Sequence, residues 1–99
     1  MIGQNNRLYI LVSDELEPVY GCVQGGHAVA QYLLEHPNSN WKNNTIVYLY
    51  CDIDLMKHKF DMLELDYSAF YEPDLDNKLT SIAILNPWSS LVKTLKLVA

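Results

Sequence analysis

The fold is decided by the stretch "RLYILVSDELEPVYGCVQGGHAVAQYLLEHP", which runs from Arg7 to Pro37. Its first seven residues are mostly apolar, aromatic or β-branched and are flanked by polar residues, which is typical of a strand buried on both faces. After the acidic turn "DELEP", a helix is predicted from about Val19 or Gly21 to His36, where Pro37 ends it. Strand and helix together indicate an α/β unit.

Apolar residues recur at helical spacing along this helix and define the face that is expected to pack on a sheet. They are Cys22, Val23, Gly26, Val29, Ala30, Leu33 and Leu34. A polar stripe follows one edge of the helix and consists of Tyr20, Gln24, His27 and Gln31. On this geometry Gly26 packs against the sheet. Gly25 lies nearer the polar edge, where a missing side chain lets a ligand approach the backbone.

The rest of the chain alternates strands and helices. Strands are predicted over residues 45–51, 67–72 and 79–86, with a last one in 94–99. A second helix starts after a cap at Asp52 or Asp54, and a short helical turn lies near Leu91. Pro73 cannot donate to a strand ladder, so the third strand is placed at an edge, and the loop after it is too short for a parallel crossover. We therefore predict one α/β domain, a three-layer sandwich with a mixed four- to five-stranded sheet and helices on both faces.

Composition and charge favour some classes of function over others. Of the 99 residues, 49% are hydrophobic, which suits one compact core. The chain has seven Lys and Arg residues and 12 Asp and Glu residues, which gives a net charge of −5. This charge disfavours nucleic-acid binding but does not exclude a local basic patch. Neither a signal peptide nor a membrane segment is predicted. Cys22 and Cys51 are far apart and are predicted to be reduced, buried residues, so we expect a cytoplasmic protein without a metal site.

Two short motifs are informative once the order of elements is known. "QGGHAVAQY" (Gln24 to Tyr32) follows "YILVSDEL", and "LTSIAILNP" (Leu79 to Pro87) forms a later strand and turn. The first resembles a strand reading roughly VLVVR-DL and a helix opening Q-x-S-H-A, and the second resembles T-x-L-A-I-G-P. Both patterns belong to the type II peptidyl-tRNA hydrolase family of archaea and eukaryotes. The closing "LKLV" is also similar, so the resemblance spans nearly the whole chain.

That resemblance implies cleavage of the ester that joins a peptide to tRNA, without a metal or a cofactor. It implies that His27 and Glu72 are catalytic and handle water and proton transfer. The substrate-binding residues that it implies are Tyr20, Gln24, Gly25 and Thr80. The implied partner is tRNA. We also expect a homodimer, because the many aromatic residues lack interleaved basic residues and suit core and interface roles better than base stacking.

The sequence also departs from the family's pattern. Tyr20 stands where the family has a lysine, Gly26 where it has a serine, and Glu72 is the nearest counterpart of its aspartate. The cationic and hydroxyl groups that would hold a phosphate and polarise an ester are therefore missing. An alternative stays open, in which the protein is a degenerate relative that acts as a non-catalytic binding or interaction module.

The candidate catalytic residues also have plainer interpretations. His27 either activates water, since an imidazole titrates near neutrality, or hydrogen-bonds a neighbouring strand or loop. Glu72, Asp74 and Asp76 form a run of carboxylates that suits a general base, a divalent-cation loop or a solvated turn. The run lacks the glycine and the distal glutamate of an EF-hand loop, which favours the solvated turn.

Overall fold

The computed structural model describes residues 6–98, which form five strands and three helices. The strands are β1 (Arg7–Ser13), β2 (Thr45–Cys51), β3 (Ser68–Glu72), β4 (Lys78–Leu85) and β5 (Lys96–Leu97). The helices are α1 (Pro18–Glu35), α2 (Ile53–Met62) and α3 (Ser89–Val92). The predicted order of strands and helices is confirmed. Within these residues, no helix is both long enough and apolar enough to span a membrane.

The strands form one mixed sheet in the order β3-β4-β1-β2-β5. β1 and β2 are parallel, while the other neighbouring pairs are antiparallel. α1 packs on one face, where its Ala28 and Tyr32 join Ile10 and Val12 of β1 in a buried cluster. α2 packs on the other face through Ile53, Met56 and Phe60. The predicted α/β fold, with a mixed sheet between helices, is confirmed, and β3 lies at an edge as expected.

Local sequence signals set both ends of α1. The carboxylate of Glu17 accepts hydrogen bonds from the backbone N–H groups of Val19 and Tyr20 at 3.1 and 2.6 Å, which caps the helix N-terminus. Pro18 occupies the first helical position, where its missing N–H leaves no bond unmade. The helix ends at Glu35, just before Pro37. The cap therefore starts the helix one residue before the earliest predicted position.

The predicted packing face of α1 is wrong. The helix residues that lie buried against the sheet are Gly21, Gln24, Gly25, Ala28 and Tyr32. Much of the predicted apolar face points to solvent instead, with Val23 51% exposed, Leu33 48% and Leu34 77%. Small residues on the buried side let the helix approach the sheet closely, and the amide of Gln24 is buried because it finds polar partners there. The pattern of apolar residues alone therefore predicts the wrong buried side for this helix.

The two adjacent glycines exchange the roles that were predicted for them. A Cβ atom added at Gly25 would lie 2.4 Å from Cε2 of Tyr48 and 2.9 Å from Cγ2 of Ile10, so Gly25 is the packing glycine. A Cβ atom added at Gly26 would meet no atom within 4 Å. Adjacent helix residues point about 100° apart, which puts one glycine against the sheet and the other in the open. The backbone of Gly25 is therefore covered by Tyr48 and Ile10, and the predicted ligand approach there is wrong.

Candidate functional site

A buried polar cluster joins α1 to β3 and β4. Its centre is Gln24, which is 1% exposed. The side-chain Nε2 of Gln24 donates to Oε1 of Glu72 at 2.7 Å, and its Oε1 accepts from the hydroxyl of Thr80 at 2.6 Å. The hydroxyl of Ser81 donates to the backbone carbonyl oxygen of Gln24 at 2.7 Å. We refer to these four residues as the Gln24 cluster, and three of them are residues that the sequence resemblance selected.

A β-bulge turns the side chains of β4 toward Gln24. Phe70 of β3 pairs with Ser81, whereas the next residue, Tyr71, pairs with Leu79, so Thr80 is an extra residue without a partner across the ladder. Side chains alternate between the faces of a regular strand, but a bulge breaks this alternation. As a result, the consecutive hydroxyls of Thr80 and Ser81 both reach the α1 side of the sheet.

The carboxylate of Glu72 is held in its charged form. Hydrogen bonds from the Gln24 amide and from the backbone N–H of Asp74, the latter at 3.1 Å, lower the pKa of Glu72 below its usual range. The nearby imidazole of His27 lowers this pKa further, while burial opposes the shift. Both carboxylate oxygens of Glu72 therefore already accept a hydrogen bond inside the protein.

His27 lies beside the cluster and outside its hydrogen bonds. The imidazole is exposed and stacks on the ring of Phe70, with ring centroids 4.6 Å apart and planes 13° apart. Among the described residues, none donates a hydrogen bond to its ring nitrogens or accepts one from them. Among these residues the predicted hydrogen bond from His27 to a neighbouring strand or loop is therefore replaced by a ring contact with Phe70 of β3.

The other two residues that the resemblance selected add no polar group to the cluster. Tyr20 is partly buried and lies one turn before Gln24 on α1. It stands where the resembled family has a lysine, so this edge of the helix carries no cation. Gly25 is buried under Tyr48 on the side of α1 that faces β1 and β2.

The carboxylate run after β3 forms a tight turn. Residues 73–75 form one turn of 3₁₀ helix, and Asp76 and Asn77 follow in the left-handed region with φ of 55° and 59°. Lys78, the first residue of β4, is paired with Glu15 at 2.7 Å. Within residues 6–98, no three potential ligands are grouped in a way that could hold a metal ion.

A second polar group resembles a serine, histidine and aspartate set but is not arranged as one. Ser68, which is almost fully buried, donates to Glu35 at 2.7 Å. Nδ1 of His36 lies 3.0 Å from the carbonyl oxygen of Tyr32, and Nε2 lies 3.0 Å from both carboxylate oxygens of Asp66. Both ring nitrogens thus face acceptors and act as donors. A ring that donates from Nδ1 cannot act as a base toward Ser68 through that nitrogen.

Sequence reasoning missed Ser81 and Phe70. The adjacent polar residues Thr80 and Ser81 interrupt an otherwise apolar strand, and that interruption was the available signal for Ser81. Nothing in the sequence marks Phe70 as the ring under His27, because the contact depends on how α1 is rotated over β3.

Comparison with known proteins bears on the fold alone. No protein-family profile and no curated protein matches this chain. At least one solved structure has a similar fold. It is that of a protein of unknown function from Agrobacterium tumefaciens strain C58, with a TM-score of 0.67 and 11% sequence identity over 96% of this chain and 98% of that one. At this identity, the likeness extends to the architecture and to nothing finer.

Proposed function

We propose that this protein is a non-catalytic interaction module, a divergent relative of the type II peptidyl-tRNA hydrolases that binds a partner through the outward side of α1. The observation that carries the proposal is the orientation of this helix. An 18-residue helix turns Val19, Val23, Leu33 and Leu34 toward solvent. Exposed apolar side chains that share one side of a helix are typical of a binding face.

The same surface lacks charge. Residues 18–34 contain no Asp, Glu, Lys or Arg, although 19% of the whole chain is charged. A solvated helix face ordinarily carries charged side chains, whereas the centres of protein interfaces are depleted of them. Charge and exposure therefore support the same role for the outward side of α1.

The Gln24 cluster supports the non-catalytic part of the proposal. The amide of Gln24 and the carboxylate of Glu72 are occupied by bonds that hold α1 on the sheet, so neither group is free to orient an ester. No Lys or Arg lies between Arg7 and Lys42, and Glu72, Asp74 and Asp76 crowd the turn beside the cluster. A tRNA phosphate would meet repulsion there.

A cytoplasmic location is part of the proposal. Both cysteines are free thiols. Cys51 is buried as predicted, but the prediction is wrong for Cys22, which is exposed on α1. An exposed free thiol is most stable in a reducing compartment.

The rate of Cys22 alkylation tests whether α1 is a binding face. The thiol lies on the proposed surface, so a bound partner should slow its reaction with a maleimide in an extract of the source cells, relative to dilute purified protein. Met62→Cys in a Cys22→Ser background is the matched control, because Met62 is 71% exposed on α2 and should react equally in both samples. Equal reaction rates for Cys22 in extract and in buffer contradict the binding role.

Ester hydrolysis is the second candidate, and the exposed imidazole of His27 near the Glu72 carboxylate favours it, since no described residue hydrogen-bonds its ring. Such an imidazole can take a proton from water, and Glu72 would stabilise the imidazolium that forms. A model peptidyl-tRNA distinguishes the two functions. We expect no turnover and no mobility shift with tRNA at low salt. Turnover that His27→Ala abolishes and that His58→Ala leaves intact would establish the hydrolase and overturn the non-catalytic assignment.

A further inference from the structure

We propose that the outward face of α1 binds a second copy of this chain, antiparallel and related by a two-fold axis that passes near Gly26. The proposal rests on the proposed function of α1 as a binding face and names its occupant.

The small and apolar residues on the outward side of α1 are arranged symmetrically about Gly26. Cys22 and Ala30 lie four residues to either side of it, Val19 and Leu33 seven residues, and Pro18 and Leu34 eight residues. Three residues to either side lie Val23, which is exposed, and Val29, which is partly buried. Both members of every pair are small or apolar. An antiparallel two-fold axis at Gly26 sets one member of each pair against the other member in the second copy.

Helix geometry places these residues on one face. At about 100° per residue, positions three, four and seven residues from Gly26 point within roughly 60° of its direction, and positions eight residues away point within roughly 80° of it. Small residues lie at four-residue intervals through the middle, namely Cys22, Gly26 and Ala30, and larger apolar residues lie toward both ends. This distribution lets two helices approach closely at the crossing point and pack larger side chains on either side of it.

The charged residues at the two ends of α1 point away from this face. Glu17 and Glu35 each lie nine residues from Gly26, which turns both to the opposite side of the helix. Glu17 caps the helix N-terminus, and Glu35 accepts hydrogen bonds from Gln31 and Ser68. A chain with a net charge of −5 is repelled by its own copy, so the uncharged face of α1 is where two copies can meet with little electrostatic cost.

A shallow groove beside α1 enlarges the surface. A stable interface buries roughly 1,200 Å² or more in total, which is more than one helix about 27 Å long supplies. Val98, at the end of the described chain, lines the groove together with Pro18, Val19, Cys22 and Val23. We expect the second copy to cover this groove as well as the helix.

Sedimentation of the purified full chain tests the proposal. We expect twice the mass of one chain at high concentration and dissociation on dilution. Gly26→Lys should raise the dimer dissociation constant at least tenfold, because it sets two ammonium groups against each other at the axis. The fold should survive this change, since a Cβ atom at Gly26 meets no neighbour within 4 Å. Met62→Lys, at an exposed apolar residue of α2, should leave the mass unchanged.

A disulfide cross-link tests the antiparallel geometry. A residue on a two-fold axis faces its own copy, so Gly26→Cys in a Cys22→Ser background should join two chains when oxidised glutathione takes up the two electrons and two protons. Met62→Cys in the same background should not. A monomer at every concentration, or a dimer that Gly26→Lys does not weaken, overturns the proposal. If purified protein stays monomeric while Cys22 is protected in cell extract, the occupant is a different protein and α1 remains a binding face.

Discussion

Gln24 of α1 and Thr80 of β4 are 56 residues apart in sequence, yet the hydroxyl of Thr80 donates a 2.6 Å hydrogen bond to the side-chain oxygen of Gln24. Neither group has access to water, because Thr80 is fully buried and Gln24 is nearly so. The bond therefore satisfies two polar groups that would otherwise be unpaired in the core, and it fixes the rotation of α1 over the sheet.

Removing this bond should destabilise the fold. We expect Gln24→Ala to lower the free energy of unfolding by about 2 kcal/mol, because it leaves the Thr80 hydroxyl buried without a partner. Gln31→Ala is the matched control, since Gln31 bonds only its helix neighbour Glu35 near the surface and its loss should change stability by no more than about 0.5 kcal/mol. Urea unfolding measures both. Equal effects of the two variants would show that the cluster does not hold the helix.

The two glycines should respond in opposite directions to the same added methyl group. Gly25→Ala forces atoms of Tyr48 and Ile10 aside and should cost about 1–3 kcal/mol of unfolding free energy. Gly26→Ala adds a methyl group in open space within a helix and should stabilise the monomer by roughly 0.5–1 kcal/mol. Denaturant titrations in dilute protein give both values. Stabilisation by Gly25→Ala would mean that the helix does not pack in this orientation.

The pair of His36 and Asp66 should make stability depend on pH near neutrality. Burial lowers the pKa of His36, but the hydrogen bonds to Asp66 and to the Tyr32 carbonyl raise it more, so it lies above its ordinary value of 6.5. The stabilisation is fully present below the unfolded-state pKa and is lost as pH rises through the raised folded-state value.

Asp66→Asn tests this pH dependence, because it removes the charge that faces the ring. The wild-type chain should be more stable than the variant at about pH 6, and the difference should shrink toward about pH 8. Urea midpoints across this range, with an NMR titration of the His36 ring, provide the measurement. A stability difference that does not vary with pH would show that protonated His36 does not stabilise the fold through Asp66.

The two thiols should differ sharply in reactivity. Cys51 is 4% exposed, and burial raises the pKa of its thiol to about 12, whereas Cys22 is exposed on α1. A thiolate is the reactive form, so dilute native protein should react with an aromatic disulfide reagent at one thiol per chain, and protein in urea at two. Cys22→Ser should abolish the reaction of the native protein. Rapid modification of two thiols without denaturant would contradict the buried position of Cys51.

Strand positions were predictable because a strand that is buried on both faces needs a nearly continuous run of apolar residues, which is visible in the local sequence. β1 and β4 lie inside the sheet and read as nearly continuous apolar runs, and Pro73 marked the edge at β3. The candidate site was partly predictable, since Gln24, Glu72 and Thr80 do come together. Ser81 joins them only through the bulge at Thr80, and a bulge leaves no clear mark in sequence.

By itself, the sequence determined the α/β class, the mixed sheet and the ends of α1, because buried strands, caps and prolines act through neighbouring residues. Only the tertiary structure decided which side of α1 is buried. Apolar periodicity favoured the side that carries Val23 and Leu34, but close packing at Gly25 and the bond from Thr80 to Gln24 hold the opposite side on the sheet. Those contacts join residues that are far apart in the chain, so the local sequence pattern does not predict them.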